Sequence, residues 1–238
     1  MAVKLVKPIN HKKVVKITNQ DFEAKMRELR VNSDIAVAVS GGPDSLALMH
    51  LSNRYALNNN INLTVLSIDH GIRAESSKEI VWLKKVAKKN KINFYSTKLK
   101  KKINSSNTLS KARTLRYEAL SKYCNKKKIK FLLTAHHLDD EIENFLMRLI
   151  RGSGVKGLSS LKVKSRYKNT KLILVRPLLE YSKKSLVAYL SEQKQVYIND
   201  RTNYNNKYDR SRIRKLSQQL IHEGCLLYTS PSPRDRIS

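Results

Sequence analysis

Three short stretches hold residue types that handle phosphates, protons and cations: SGGPDS (40–45), DHGIR (69–73) and HHLDDE (136–141). In the first, Gly41 and Gly42 let backbone N–H groups approach a ligand with no Cβ in the way. A helix starting at Asp44 turns its unpaired amides toward an anion, and the hydroxyls of Ser40 and Ser45 add donors. With Pro43 between them, these residues spell a phosphate cradle. The loop is neither G-x-x-x-x-G-K-[ST] nor G-x-G-x-x-G, and no lysine follows it to grip β- and γ-phosphates. Such a cradle suits a nucleotide held by its pyrophosphate, with the α-phosphate open to attack. Taken singly, each stretch has an ordinary structural reading. Turns favour Gly, Asp and Ser, and Asp139 and Asp140 suit a helix N-terminus.

Their placement argues for more than turns. Residues 34–40, 62–69, 92–99, 130–137 and 171–179 read as strands. Residues 44–57, 76–91, 108–127 and 139–150 read as helices, with further helices after 179. Apolar spacing sets the inward faces: Leu46, Met49 and Leu57 on the first helix, Ile80, Leu83 and Ala87 on the second, Ala112, Leu115, Ala119 and Tyr123 on the third. Strand and helix alternating at this pace predict an α/β fold, a doubly wound parallel sheet with helices on both faces. Ligands of such sheets sit outside the carboxyl ends of the strands. SGGPDS, DHGIR and HHLDDE fall at the ends of strands one, two and four. His136 and His137 are adjacent at a strand end and point to opposite faces, which argues against a shared metal ion.

The chain has 238 residues, room for one good-sized domain, and 40% hydrophobic residues, enough for a core. No apolar run approaches the ~18 residues of a membrane span, and the N-terminus lacks the continuous apolar stretch of a secretory signal. Cys124 and Cys225 lie far apart, which excludes a disulfide framework or a C-x-x-C site and fits a reducing, cytoplasmic setting. A formal net charge of +29 makes nucleic acid the default partner, although an AT-rich genome also writes Lys, Asn and Ile. The expected organisation is a basic N-terminal extension over 1–30, a catalytic domain over 31–224 and a non-native tail over 225–238. That tail, CLLYTSPSPRDRIS, abandons Lys, Asn and Ile for Ser, Pro and Arg.

The loop SGGPDS resembles the SGGxDS signature of the PP-loop, or N-type ATP pyrophosphatase, superfamily. DHGIR (69–73), ARTLRY (112–117), AHHLDDEIEN (135–144), RGSGVKGL (151–158), RPLL (176–179) and DRTNYNNKYDRSRIR (200–214) then follow in the order seen in tRNA(Ile)-lysidine synthetases. The resemblance spans roughly residues 31 to 221. It departs from the usual pattern at Glu141, where Gln is usual, and at Asn144, where Thr is usual. Family members commonly continue into one or two further domains, so the resemblance implies a short form or a C-terminally truncated catalytic domain.

What the resemblance implies is an ATP-dependent ligase of tRNA modification. ATP adenylates O2 of the wobble cytidine in the CAU anticodon of tRNA(Ile). Free L-lysine then displaces AMP from C2, leaving lysidine. In that reaction Ser40, Gly41, Gly42, Pro43, Asp44 and Ser45 would hold ATP, and Asp44 would bind a Mg²⁺ bridging its phosphates. Asp139 and Asp140 would hold the lysine ammonium, and one of them, or His136 or His137, would take its proton. Arg113 and Arg116, three apart on one helix face, would offset phosphate charge. His70, Arg73, His137, Arg151, Asn203, Arg210 and Arg214 complete the expected tRNA and lysine contacts. Oligomeric state stays open, a homodimer included. Two other readings compete: a different PP-loop tRNA-modifying enzyme, and a non-catalytic basic RNA-binding protein. A cysteine-dependent thiolase is disfavoured by the lack of Cys pairs. RNA binding alone would gain nothing from carboxylates near phosphates.

Overall fold

Runs of aliphatic and β-branched residues, bounded by polar turns, build a six-stranded sheet. The structure is a computed structural model and describes residues 16–69, 76–99, 108–152 and 161–198, with 212, 213, 216, 217, 219 and 220. The strands are β1 (Ile35–Ala38), β2 (Leu63–Asp69), β3 (Asn93–Lys98), β4 (Phe131–Leu133), β5 (Lys164–Arg166) and β6 (Ile173–Val175). The helices are α1 (Asn19–Glu28), α2 (Pro43–Asn58), α3 (Ser76–Lys89), α4 (Thr108–Lys126), α5 (Leu138–Ile150) and α6 (Lys183–Glu192). Strand order is β3-β2-β1-β4-β6-β5. Ile35 pairs in parallel with Leu63 on one side and Phe131 on the other.

The expected parallel α/β sheet is present, with one amendment. β5 runs antiparallel to β6 at the sheet edge. Its sequence, Lys164-Ser165-Arg166, carries no apolar alternation, so nothing in the pattern announced it. The strand expected over 171–179 is short because Pro177, which has no N–H to donate, ends its ladder. β4 also stops early, at Leu133, and pairing then thins to the Thr134 N–H on the Val175 carbonyl (2.9 Å) and a bridge between His137 and Leu178.

Alternation along β1 feeds two cores. Ile35 and Val37 face one cluster with Phe22 and Met26 of α1, Leu46 and Met49 of α2, Leu83 of α3 and Leu186 of α6. Ala36 faces the other, with Tyr117, Leu120 and Cys124 of α4. Two inward assignments are therefore corrected. Leu57 is exposed, and the fully buried residues of α4 include Tyr117, Leu120 and Cys124, whereas Ala112, Leu115, Ala119 and Tyr123 are only half-buried, Tyr123 still packing against the second cluster. A tyrosine and a cysteine serve as core there, and burial pushes the Cys124 thiol up to about 12, which leaves it inert. Chain order reverses between β1 and β4, so the loops that leave these two strands flank a crevice at the switch point of the sheet. No helix among the described residues is long and apolar enough to cross a membrane.

Candidate active site

The loop after β1 is held by its own hydroxyls. Ser45 Oγ donates to the Gly42 carbonyl (3.0 Å) and accepts the Ser40 N–H (3.2 Å), with Ser40 Oγ 3.4 Å away. Ser45 is thus committed within the loop. Gly42 is the N-cap of α2 and Pro43 opens its first turn, as its fixed φ favours. The two glycines differ. Gly41 has φ +93°, and a Cβ there would lie 2.6 Å from Ile198 Cδ1. The Ile198 N–H also bonds the Gly41 carbonyl (2.9 Å). Gly41 is therefore required by the chain itself. Gly42 has φ −70°, and a Cβ there would meet only Ser40 Oγ, at 4.0 Å. Above Gly42 the space is open, as a phosphate cradle requires.

The loop after β4 brings a cation to this cradle. His137, 4% exposed, is the N-cap of α5. Its Nε2 lies 3.5 Å from Asp44 Oδ2 and 3.6 Å from Asp140 Oδ2, and its Nδ1 lies 3.4 Å from Asp139 Oδ2. The Nδ1 contact lacks hydrogen-bond alignment, so charge rather than a directed bond holds the group. Burial opposes a positive imidazole, but Asp139, Asp44 and Asp140 outweigh it and raise the pKa to about 10. His137 is an imidazolium at neutral pH, which leaves it no lone pair with which to act as a base.

Both aspartates have structural tasks through one oxygen. Asp140 Oδ2 accepts the His137 N–H (3.1 Å), and Asp139 Oδ2 accepts the Lys183 N–H at the start of α6 (2.7 Å). Burial works against the Asp139 charge, yet the contact with His137 and the bond from Lys183 hold its carboxyl below the usual carboxylate range. Lys183 also extends its own ammonium to 3.9 Å from Asp44 Oδ2. Asp44 Oδ1 is buried and has no hydrogen-bond partner among the described residues. An orphaned, buried carboxylate oxygen beside a phosphate cradle fits a Mg²⁺ ligand.

His136 turns the other way. Its Nε2 lies 3.2 Å from an Arg113 guanidinium nitrogen, which can only donate, so Nδ1 carries the proton and donates to Thr134 Oγ1 (3.0 Å). Burial, then the charges of Arg113, Arg176, Arg116 and His137, lower its pKa to about 3. Arg113 and Arg116 both lie over the Tyr117 ring, at 5.5 and 5.6 Å. Arg176, 8% exposed, donates to the Lys162 carbonyl (2.6 Å) and Ser165 Oγ (3.1 Å), while its Nε is buried without a partner among the described residues. The histidine pair thus splits into an acidic and a cationic compartment. Arg151 stands apart as the exposed C-cap of α5. His70, Arg73, Asn203, Arg210, Arg214 and the tail at 225–238 lie outside the described residues.

Three groups escaped the reading of the sequence. Glu143 is buried on α5, one turn after Asp140, and its i+3 spacing was the available signal. Arg176 opens the RPLL stretch, but nothing local marked it as buried. Lys183 reaches the cradle only through the packing of α6.

Residues 11–220 match the PP-loop domain family. The chain is 44% identical over 191 residues to the tRNA(Ile)-lysidine synthase of Rickettsia bellii (strain OSU 85-389), covering 80% of this chain and 44% of that protein. It is 40% identical over 204 residues to the tRNA(Ile)-lysidine synthase of Wolbachia pipientis wMel, covering 82% and 47%. The chain therefore spans less than half the length of these relatives. Among solved structures, the U34-tRNA thiolase NcsA of Methanococcus maripaludis, with its [4Fe-4S] cluster, superposes with a TM-score of 0.72 at 23% identity, over 86% of this chain and 73% of that one. That likeness concerns the fold.

Proposed function

This chain belongs to the PP-loop domain family, and from that premise we propose that it catalyses lysidine formation on tRNA(Ile). ATP and L-lysine are the small substrates in this reading. The observation that carries it is the meeting of Asp44, His137, Asp139, Asp140 and Lys183 beside an open glycine cradle at the switch point of the sheet. The similarity to lysidine synthases over four-fifths of the chain gives the chemistry its name.

Cytosine C2 is a poor electrophile because its oxygen is a poor leaving group. Adenylation converts that oxygen: a bond forms from O2 to the α-phosphorus, and pyrophosphate leaves. The open face above Gly42 and the first amides of α2 receive the phosphates. Asp44 Oδ1 would hold Mg²⁺, which supplies charge neutralisation along the phosphate chain. Arg113 and Arg116 supply fixed positive charge for the α-phosphate or for the tRNA backbone. In the second step the lysine amine bonds to C2, the C2–O2 bond breaks and AMP departs.

The amine, with a free pKa of ~10.4, must shed a proton before it attacks. Asp139 and Asp140 each keep one carboxylate oxygen outside the bonds described above, so either can hold the ammonium and take that proton. His136 is a weak base because Arg113 occupies its lone pair. His137 instead fixes the three carboxylates that surround it.

ATP–pyrophosphate exchange tests the reading. Exchange should require tRNA(Ile) with a CAU anticodon and proceed without lysine, because the nucleotide base is adenylated first. Exchange that needs lysine and ignores tRNA would assign the chain to amino-acid activation. No exchange, with retained RNA binding, would favour a binding protein.

A further inference from the structure

The cradle in SGGPDS lacks a phosphate-gripping lysine in its own sequence, and packing brings one to it. We infer that Lys183 of α6 binds the pyrophosphate portion of the nucleotide, as the cation the loop itself omits. This rests on the reading of the loop as an ATP cradle.

Four features support the assignment. The Lys183 ammonium lies 3.9 Å from Asp44 Oδ2, and Asp44 sits in the first turn of α2, whose free amides face the cradle. Its backbone N–H is fixed by Asp139 Oδ2 at 2.7 Å, so the root of the side chain has a defined position. Its side chain remains 41% exposed, and a four-carbon stem lets the ammonium pass from carboxylate to phosphate without moving α6. The acidic compartment also needs it. Asp44, Asp139 and Asp140 would repel a triphosphate, and His137 is enclosed among them. Among the described residues, Lys183 is the cation that contacts Asp44 and still reaches solvent. A pyrophosphate leaving group carries more negative charge than the α-phosphate, and a helix N-terminus supplies only about half an elementary charge. A mobile ammonium at this place compensates the difference.

Binding constants for ATP, inorganic pyrophosphate and AMP, measured by calorimetry on the full chain with Mg²⁺ and without tRNA, test this. Lys183→Met should weaken ATP and pyrophosphate by roughly 10- to 100-fold, the loss of one charge-assisted hydrogen bond. AMP affinity should stay within about twofold, Lys183→Arg should restore most of the loss, and Lys184→Met, on the exposed neighbour, should change nothing. The melting temperature of Lys183→Met reports that α6 is intact. Equal losses for ATP and AMP, or no loss for either, overturn the role of Lys183 while leaving the cradle standing. A wild-type chain that binds neither ATP nor pyrophosphate overturns the cradle and this inference together.

Discussion

His136 and His137 are neighbours in sequence, and both are largely buried, yet they sit in opposite electrostatic surroundings. His137 has three carboxylates within 3.6 Å and carries a positive charge. His136 has Arg113 on its Nε2, with Arg176 and Arg116 nearby, and carries no positive charge. Burial pushes both pKa values down, so the neighbours alone decide the difference. One strand end thus divides the crevice. The acidic side suits cations, a metal ion or an amine, and the cationic side suits the α-phosphate or the tRNA backbone. A reaction that brings an ammonium to a phosphate-activated base needs both, and it needs them held apart so that they do not neutralise each other.

The sharpest way to break this division is to remove its shared member. Asp44 serves the cradle and the acidic side at once. Asp44→Ala should lower adenylation by about 10³-fold or more, since a bound metal ion contributes several kcal/mol to such a step. Circular dichroism should remain unchanged. Pyrophosphate exchange within tenfold of wild type would place the metal elsewhere.

Arg113 tests the cationic side alone. Arg113→Ala should cost about 10²-fold in kcat, toward the lower end for a lost charge-stabilising donor. It should also release Nε2 of His136, whose titration would move back toward the ordinary ~6.5 as followed by NMR. A kinetic loss with an unmoved His136 would separate the arginine's chemistry from its hold on the histidine.

A smaller effect separates the two glycines. Gly41→Ala places a side chain at φ +93° against Ile198 and should destabilise the fold by about 1–3 kcal/mol in urea unfolding. Gly42→Ala should leave stability within about 0.5 kcal/mol, the ordinary range for an unobstructed site, and weaken ATP instead. Reversal of these two results would mean that Gly42, not Gly41, is held by the chain.

Much of this was legible from local signals. Apolar runs located the strands of the parallel sheet, and the loop placements followed from where those runs end. SGGPDS marked the turn between β1 and α2, because glycine and proline favour such turns. The two histidines were separable by strand alternation. What stayed hidden came from long-range packing. Lys183 is 139 positions from Asp44 by their numbering and meets it only because α6 packs against α2. β5 is polar and owes its existence to pairing with β6. The face of α4 was rotated from the expected one: Tyr117, Leu120 and Cys124 fill the core, and of the expected stripe Tyr123 packs against it while only half-buried. Charge state was the least legible property, since His136 and His137 are the same residue type one position apart.

That charge state gives the gentlest test. His136 has a folded pKa of about 3, below the ~6.5 of an unfolded chain. Above pH 6.5 neither state holds the proton, and the residue contributes no pH slope. As pH falls below 6.5 the unfolded chain takes up a proton that the folded chain refuses. Stability therefore drops by up to about 1.4 kcal/mol for each pH unit, until the folded group titrates near 3. His136→Gln has nothing to titrate and should lack this slope. Every other ionisable group, His137 included, is common to both chains and cancels in the difference. At pH 7.5 the variant should be the less stable chain, because the bonds to Arg113 and Thr134 are disturbed. At pH 5.5 the gap should have narrowed by about 1 kcal/mol, within the limit set by one unit of displacement. Urea unfolding of both chains at the two pH values measures it. A gap that stays constant, or widens toward pH 5.5, would mean that His136 is protonated in the folded chain, and that the cationic compartment does not hold it neutral.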